Sequence, residues 1–198
     1  MSVKQQIAAL EAEIEARYNE LSELRAKEPP EPLKDYTFVG ADGESVRLSE
    51  LFGHHDRLIL VHNMGRQCPY CTVWADGFSD SYRRIAGKTA FVVTSKETAE
   101  EQQRNIRERG WQFPMISSKN NQILEDLGFL EGGTVYPGLA SLSRNEKGEV
   151  FYHGKQVFGS GDQFGMLWHL FDVVGTWDPA EYRAPGLEYS MQMTKPKD

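Results

Sequence analysis

Leu58-Ile59-Leu60-Val61 is a short unbroken apolar run, and Cys68-Pro69-Tyr70-Cys71 follows it after a few residues. Beyond the cysteines, Trp74, Phe78, Tyr82 and Ile85 recur at helical spacing. The apolar run predicts a strand over Arg57 to Met64 that is buried on both faces, as strands in parallel sheets are. The spaced aromatics predict a helix with one apolar face. Thr89-Ala90-Phe91-Val92-Val93-Thr94-Ser95 is a second run of the same kind. The two strands are expected to lie parallel, joined by a right-handed crossover through the helix. The only two cysteines in 198 residues therefore fall between a central strand and the first turn of a helix.

The rest of the chain extends the alternation. Glu97, Glu100 and Glu101 precede Arg104, Arg107 and Arg109, a charge order that suits a helix dipole, and Gly110 marks its end. Phe113-Pro114-Met115-Ile116 reads as a short strand and Asn121 to Leu127 as a short helix. Residues from Pro137 to Leu142 and from Val150 to Tyr152 flank Asn145-Glu146-Lys147-Gly148, a hairpin signal. Leu167, Leu170, Phe171 and Val174 mark a last amphipathic helix. Ahead of the central strand, Tyr36 to Val39 reads as a strand, Ala41-Asp42-Gly43 as a turn, and Ser49 as the cap of a short helical turn. The whole is an α/β layer structure.

At the N-terminus, Ile7, Leu10, Ile14, Leu21 and Leu24 follow a heptad pattern, with Arg17 and Tyr18 where another apolar residue is due. Two readings stand: an amphipathic helix packed on its own domain, or a dimerisation arm. Lys27-Glu28-Pro29-Pro30-Glu31-Pro32 ends the helix and reads as a linker.

The net charge of −7 argues against a protein that tracks nucleic-acid phosphates. No apolar run is long enough to span a bilayer. The opening residues, MSVKQQIAALEAEIEARYNE, have no apolar signal core, so the expectation is a cytoplasmic protein outside the membrane. In that compartment a Cys-x-x-Cys pair is redox-active or metal-binding more often than it is a structural disulfide.

A cysteine at a helix N-terminus receives main-chain N–H groups and a favourable dipole, both of which stabilise its thiolate. Cys68 sits at that tip, Pro69 suits an early helical position, and Cys71 is spaced to close a small ring. The chemistry that follows is thiol–disulfide exchange, Cys68 attacking and Cys71 resolving. Zinc competes as a reading, yet there is no second cysteine pair, and His54, His55 and His62 have no familiar finger spacing. Two inert buried thiols are the other alternative. His62 reads as a strand residue with a satisfied hydrogen bond.

Strand, Cys-x-x-Cys, helix, a β-α pair, then a proline before a hairpin and a last helix resembles the thioredoxin fold. Asp42-Gly43-Glu44-Ser45-Val46-Arg47-Leu48-Ser49-Glu50-Leu51-Phe52-Gly53 before the central strand is similar to the variant shared by peroxiredoxins and membrane-anchored thiol reductases. Trp74-Ala75-Asp76-Gly77-Phe78, Gly110-Trp111-Gln112-Phe113-Pro114 and Ser117-Ser118 resemble a bacterial family of thioredoxin-like proteins, a domain of unknown function described as predicted dithiol-disulfide oxidoreductases. The resemblance covers about Leu33 to Gly175. It implies a central mixed β-sheet flanked by helices, here with an N-terminal helical extension. The implied division is a helix over 1–28, a linker over 29–34, a thioredoxin-like domain over 35–178 and an irregular tail over 179–198.

The resemblance also implies a cis-proline facing the cysteines. Pro137 is its best match, with Tyr136 offering its backbone to substrate, and Pro69, Tyr70 and Arg66 complete the expected substrate contacts. Arg66 is read either as a group that lowers the thiol pKa or holds an anion, or as a solvated surface residue. Peroxiredoxins carry Thr or Ser three residues before their reactive cysteine and Pro seven before it; Gly65 and Val61 stand here, which weakens a peroxidase reading. Cys-Pro-Tyr-Cys is the glutaredoxin form of the motif, and Gly159-Ser160-Gly161-Asp162 is loosely similar to that family's glutathione-holding turn, though a helix start capped by Asp162 explains it equally. The expected activity is a dithiol–disulfide oxidoreductase that needs no metal and no organic cofactor and acts on protein or small-molecule disulfides. The alternative is a non-enzymatic binding or redox-sensing module, a homodimer through residues 1–28.

Overall fold

A computed structural model of the chain describes residues 1–159 and 161–176. The first element is α1 (Val3–Lys27), opened by a reciprocal cap: the Ser2 hydroxyl accepts from the Gln5 N–H, and the Gln5 side chain accepts from the Ser2 N–H at 2.8 Å. Then come β1 (Glu31–Leu33), β2 (Thr37–Gly40), β3 (Ser45–Arg47), a 3₁₀ turn (Leu48–Glu50) and β4 (Arg57–His62). Next are α2 (Pro69–Ala86), β5 (Ala90–Ser95), α3 (Ala99–Arg109), β6 (Met115–Ser117) and α4 (Ile123–Asp126). The chain continues through β7 (Leu130–Glu131), β8 (Thr134–Val135), β9 (Gly138–Arg144), β10 (Val150–Val157) and α5 (Met166–Val173).

Eight strands form one mixed sheet in the order β1-β10-β9-β4-β5-β6-β2-β3. β4, β5 and β6 run parallel at its centre, and the remaining neighbours pair antiparallel. Both faces are buried, which is why β4 and β5 read as unbroken apolar runs. Leu58, Leu60, Ala90 and Val92 pack with Phe38, Phe52, Leu124 and Phe129 in one cluster. Val61, Phe91 and Val93 pack on the other face with Trp74 of α2, Phe113 and Trp168 of α5. Gly110 closes α3 in the left-handed region at φ 70°, as its place after the helix predicts. Asn145 builds the β9–β10 turn, its Oδ1 accepting from the N–H groups of Lys147 and Glu149, each at 3.0 Å. Gly138 is required where β9 begins: a Cβ there would lie 2.3 Å from the Gln156 carbonyl oxygen and 2.6 Å from the Phe129 ring.

Three expectations about the elements are corrected. The α1 helix has no buried residue, so the reading that packs it on its own domain does not hold. The segment expected to be only a linker contains β1, whose Glu31, Pro32 and Leu33 pair with Tyr152, Phe151 and Val150. Proline is tolerated there because β1 is an edge strand. The apolar face of α5 is narrower than its spacing suggests: Trp168 is buried, while Leu170 and Val174 are exposed. The tail expected over 179–198 lies outside the described residues. No helix among the described residues is long and apolar enough to cross a membrane.

Candidate active site

Cys68 is the N-cap residue of α2, and Pro69 occupies the first turn. The Cys68 Sγ accepts from the Cys71 N–H at 3.1 Å, so the sulfur satisfies one of the free donors at the helix start. Cys68 is 7% exposed and Cys71 2%. Both are free thiols. The pair is polarised. A hydrogen bond from the Cys71 thiol draws the Cys68 thiol below its ordinary range, and the N–H groups of Cys71 and Tyr70 add to this against the opposing effect of burial. Burial pushes the Cys71 thiol up, as do its hydrogen bond to Cys68 and the charge that develops there. One sulfur is thus set to be the thiolate and the other to hold its proton.

The loop that delivers Cys68 to the helix is held by Asn63. Its Oδ1 accepts from the Gly65 N–H at 2.7 Å, and its Nδ2 donates to the Cys71 carbonyl at 3.3 Å. Gly65 turns the chain at φ 93°, and its carbonyl accepts from the Cys68 N–H at 3.0 Å. Asn63 is buried, and sequence reasoning missed it. A lone buried amide after a strand carries no periodic signal.

Tyr70 lies beside Trp74 and Trp168, with ring centroids 6.3 and 6.0 Å away. Trp74 meets Phe158 at 5.1 Å. Pro137 shares a small cavity of about 10 Å³ with Cys71, Trp74 and Phe158. The Tyr136–Pro137 bond is trans, however, and there is no cis peptide bond among the described residues. That corrects the expected cis-proline. The main chain here is fixed otherwise: the Tyr136 N–H donates to the Phe129 carbonyl, and the Pro137 carbonyl accepts from the Phe158 N–H, both at 2.8 Å. The Tyr136 ring is exposed.

Arg66 is not a freely solvated side chain. Its guanidinium meets Glu108 of α3 at 2.5 Å, and its N–H donates to Glu97 at 2.9 Å. Asp162 holds the start of α5, but not as its N-cap, which is Gly165. The Asp162 carboxylate accepts from the N–H groups of Gly159, Phe164 and Gly165 and from the Trp74 indole at 3.2 Å. This ties α5 to the active-site helix.

His62 is also corrected. It is 2% exposed, and neither ring nitrogen has a partner at hydrogen-bond geometry. Burial pushes its pKa down to about 4, so the ring is neutral. The His54 and His55 rings lie 4.0 Å apart, tilted by 36°, and His55 Nε2 bonds to the Ala86 carbonyl. No group of three or more His, Cys, Asp or Glu among the described residues is placed to hold a metal.

The two short motifs on α2 and after α3 meet in space. Asp76 accepts from the Trp111 indole at 2.8 Å and from the Arg109 guanidinium at 2.5 Å, and the Ser79 hydroxyl accepts from the Gln112 N–H at 3.1 Å. Their residues lock α2 to the end of α3.

A mixed sheet flanked by helices, with a Cys-x-x-Cys pair capping the helix that follows its central strand, is a thioredoxin-like fold. More narrowly, the chain belongs to the family described as "Bacterial protein of unknown function (DUF899)", which matches residues 2–176. No curated protein matches its sequence. Among solved structures it is similar to peroxidoxin BcpB from Mycobacterium tuberculosis, at 19% identity and a TM-score of 0.54, over 79% of this chain and 98% of that one. It is similar to a cysteine-to-serine mutant of peroxiredoxin Q from Xanthomonas campestris, at 12% identity and a TM-score of 0.54, over 75% and 92%. A cysteine-to-serine mutant of PrxQ from Xylella fastidiosa aligns at 11% identity and a TM-score of 0.53, over 74% and 92%. At these identities the likeness establishes the fold.

Proposed function

We propose that the protein is a thiol–disulfide oxidoreductase that works by dithiol–disulfide exchange. The observation that carries this reading is the polarised pair: Cys68 Sγ held at a helix N-terminus by the Cys71 N–H, beside a Cys71 thiol that keeps its proton. The Cys68 thiolate attacks one sulfur of a substrate disulfide; an S–S bond forms, the substrate S–S bond breaks, and one substrate thiolate leaves. Cys71 then gives up its proton and attacks Cys68 Sγ, expelling the second substrate thiolate. The substrate gains two electrons, its two thiolates take up the Cys71 proton and one proton from solvent, and the enzyme ends as the Cys68–Cys71 disulfide. The reverse sequence oxidises a dithiol. The substrate is a protein or small-molecule disulfide approaching over Pro69, Tyr70, Arg66, Tyr136 and Pro137, and the compartment is the cytoplasm. No resident cofactor or metal enters this exchange.

A peroxidase reading, suggested by the names of the similar structures, is disfavoured by the residues before Cys68. Gly65 offers no hydroxyl, and Val61 is part of the core. The polarised pair makes a direct prediction for the reduced protein. Iodoacetamide at neutral pH should modify Cys68 well ahead of Cys71, because the thiolate is the nucleophile. The Cys68 rate should hold up at pH values where an ordinary thiol slows. Mapping the alkylated residue by peptide mass checks this; equal rates, or Cys71 reacting first, would reverse the assigned roles.

A further inference from the structure

The α1 helix is 25 residues long and buries none of them, yet it carries an apolar seam interrupted once, at Arg17. Val3, Leu10 and Leu24 fall at heptad position d, and Ile7, Ile14 and Leu21 at position a. Each is between 41% and 71% exposed. Arg17 is the one polar residue in the seam, and it is paired with Glu20 on its own helix at 2.9 Å. Three and a half heptads, about 37 Å of helix at 1.5 Å per residue, are a long apolar surface to leave in water. A single helix of this length is marginal on its own and draws its stability from packing its apolar face.

We propose that α1 pairs with α1 of a second copy of this chain as a parallel two-stranded coiled coil. Two features on the helix select that occupant. The first is core geometry: Ile7 and Ile14 at positions a with Leu10 and Leu24 at positions d are the combination that favours two strands in a parallel coil. The second is charge. In parallel register Glu20 at position g meets Arg25 at position e of the second copy, and two-fold symmetry makes the contact twice. An antiparallel pair of the same helices would set Glu13 against Glu20 and Lys4 against Arg25, like against like. It would also place Val3 opposite Glu28, whereas the parallel register stacks every apolar seam residue on its own copy. Arg17 then meets Arg17 of the second copy at position d, a layer of like charge that costs stability and that each copy's own Glu20, 2.9 Å from the guanidinium, offsets. The seam remains accessible at the C-terminal end of α1, where Arg25 bonds to Gln156 of β10 but Leu21 and Leu24 stay exposed.

The test is sedimentation equilibrium of the full chain across a concentration series. The expected result is a species of twice the 22.5 kDa chain mass. Ile14→Glu should lose that dimer at the same loading concentration while Cys68 keeps its alkylation rate, since Ile14 touches no part of the site. Orientation is read in a Cys68→Ser, Cys71→Ser background carrying Ile7→Cys. A parallel pair places the two new thiols in one layer and oxidises to a covalent dimer; an antiparallel pair holds them at opposite ends, far beyond disulfide reach. A monomer at every concentration, a dimer indifferent to Ile14→Glu, or no Ile7→Cys cross-link in a protein that does dimerise would each overturn the proposal.

Discussion

Cys71→Ser should turn the protein into a stoichiometric trap. Serine cannot attack a disulfide, so the mixed disulfide on Cys68 has no internal route to resolution. Turnover with a disulfide substrate should fall to that of a simple monothiol, and intact mass should show a single adduct on each chain. The serine hydroxyl still donates toward Cys68 Sγ, and the main-chain N–H at 3.1 Å is unchanged, so Cys68 stays activated. Cys71→Ala removes the side-chain donor, the largest influence lowering the Cys68 thiol. Its adduct should form more slowly at neutral pH, with the rate recovering as pH rises. Cys68→Ser should lose both exchange and adduct formation, because the remaining thiol is buried and holds its proton. A Cys71→Ser protein that never accumulates an adduct, or a Cys68→Ser protein that exchanges as well as wild type, would refute these roles.

His62→Leu should flatten the acid side of the stability profile. The folded ring titrates near 4, lowered first by burial and further by the charge of Lys96, with the Thr94 main chain opposing, against an unfolded value near 6.5. Between those values the unfolded chain binds a proton that the folded chain does not. Stability therefore rises with pH across the window; it is complete above about 6.5 and is lost as pH falls toward 4. The shift corresponds to about 3 kcal/mol for this one group, a large part of a typical domain's stability. His153 is also lowered, by burial and by Arg57, and acts in the same direction, so the comparison must be the difference between wild type and variant. Denaturant melts at pH 4.5, 5.5 and 7 would show it: the wild-type slope should exceed that of His62→Leu, while unchanged slopes would place the acid sensitivity elsewhere.

How much of this was legible in the sequence depended on whether the signal was local. The two central strands as apolar runs, the cysteines at the helix start, the Gly110 stop and the Asn145 turn were all readable, because each rests on side chains within a few positions of one another. The contacts that depend on distant segments were not. Glu31 to Leu33 carries two prolines on its N-terminal side and looks like a linker, and becomes a strand only because the far edge of β10 is unpaired without it. Asn63 was invisible as a support, since its partners are main-chain groups, one of them the Cys71 carbonyl, and Asp162 was readable as a cap while its bond to the Trp74 indole, 88 positions away, was not. Asp76 and Trp111 were each noticed within a motif, but their bond across 35 positions is a tertiary fact. Pro137 lines a cavity with Cys71, and its trans isomer was not legible, because the backbone at Tyr136 is held by Phe129, a residue with no local link to the cysteines.

The most direct test of the central claim is a redox titration of the purified wild-type chain in a chelator, against graded glutathione ratios, with alkylation and intact mass counting free thiols at each point. The account predicts one cooperative two-electron transition, both thiols disappearing together, with a potential between about −270 and −120 mV. Thiols that stay free across the whole range, or that are protected only until zinc is stripped, would contradict it and make the Cys68–Cys71 pair a structural feature of the fold.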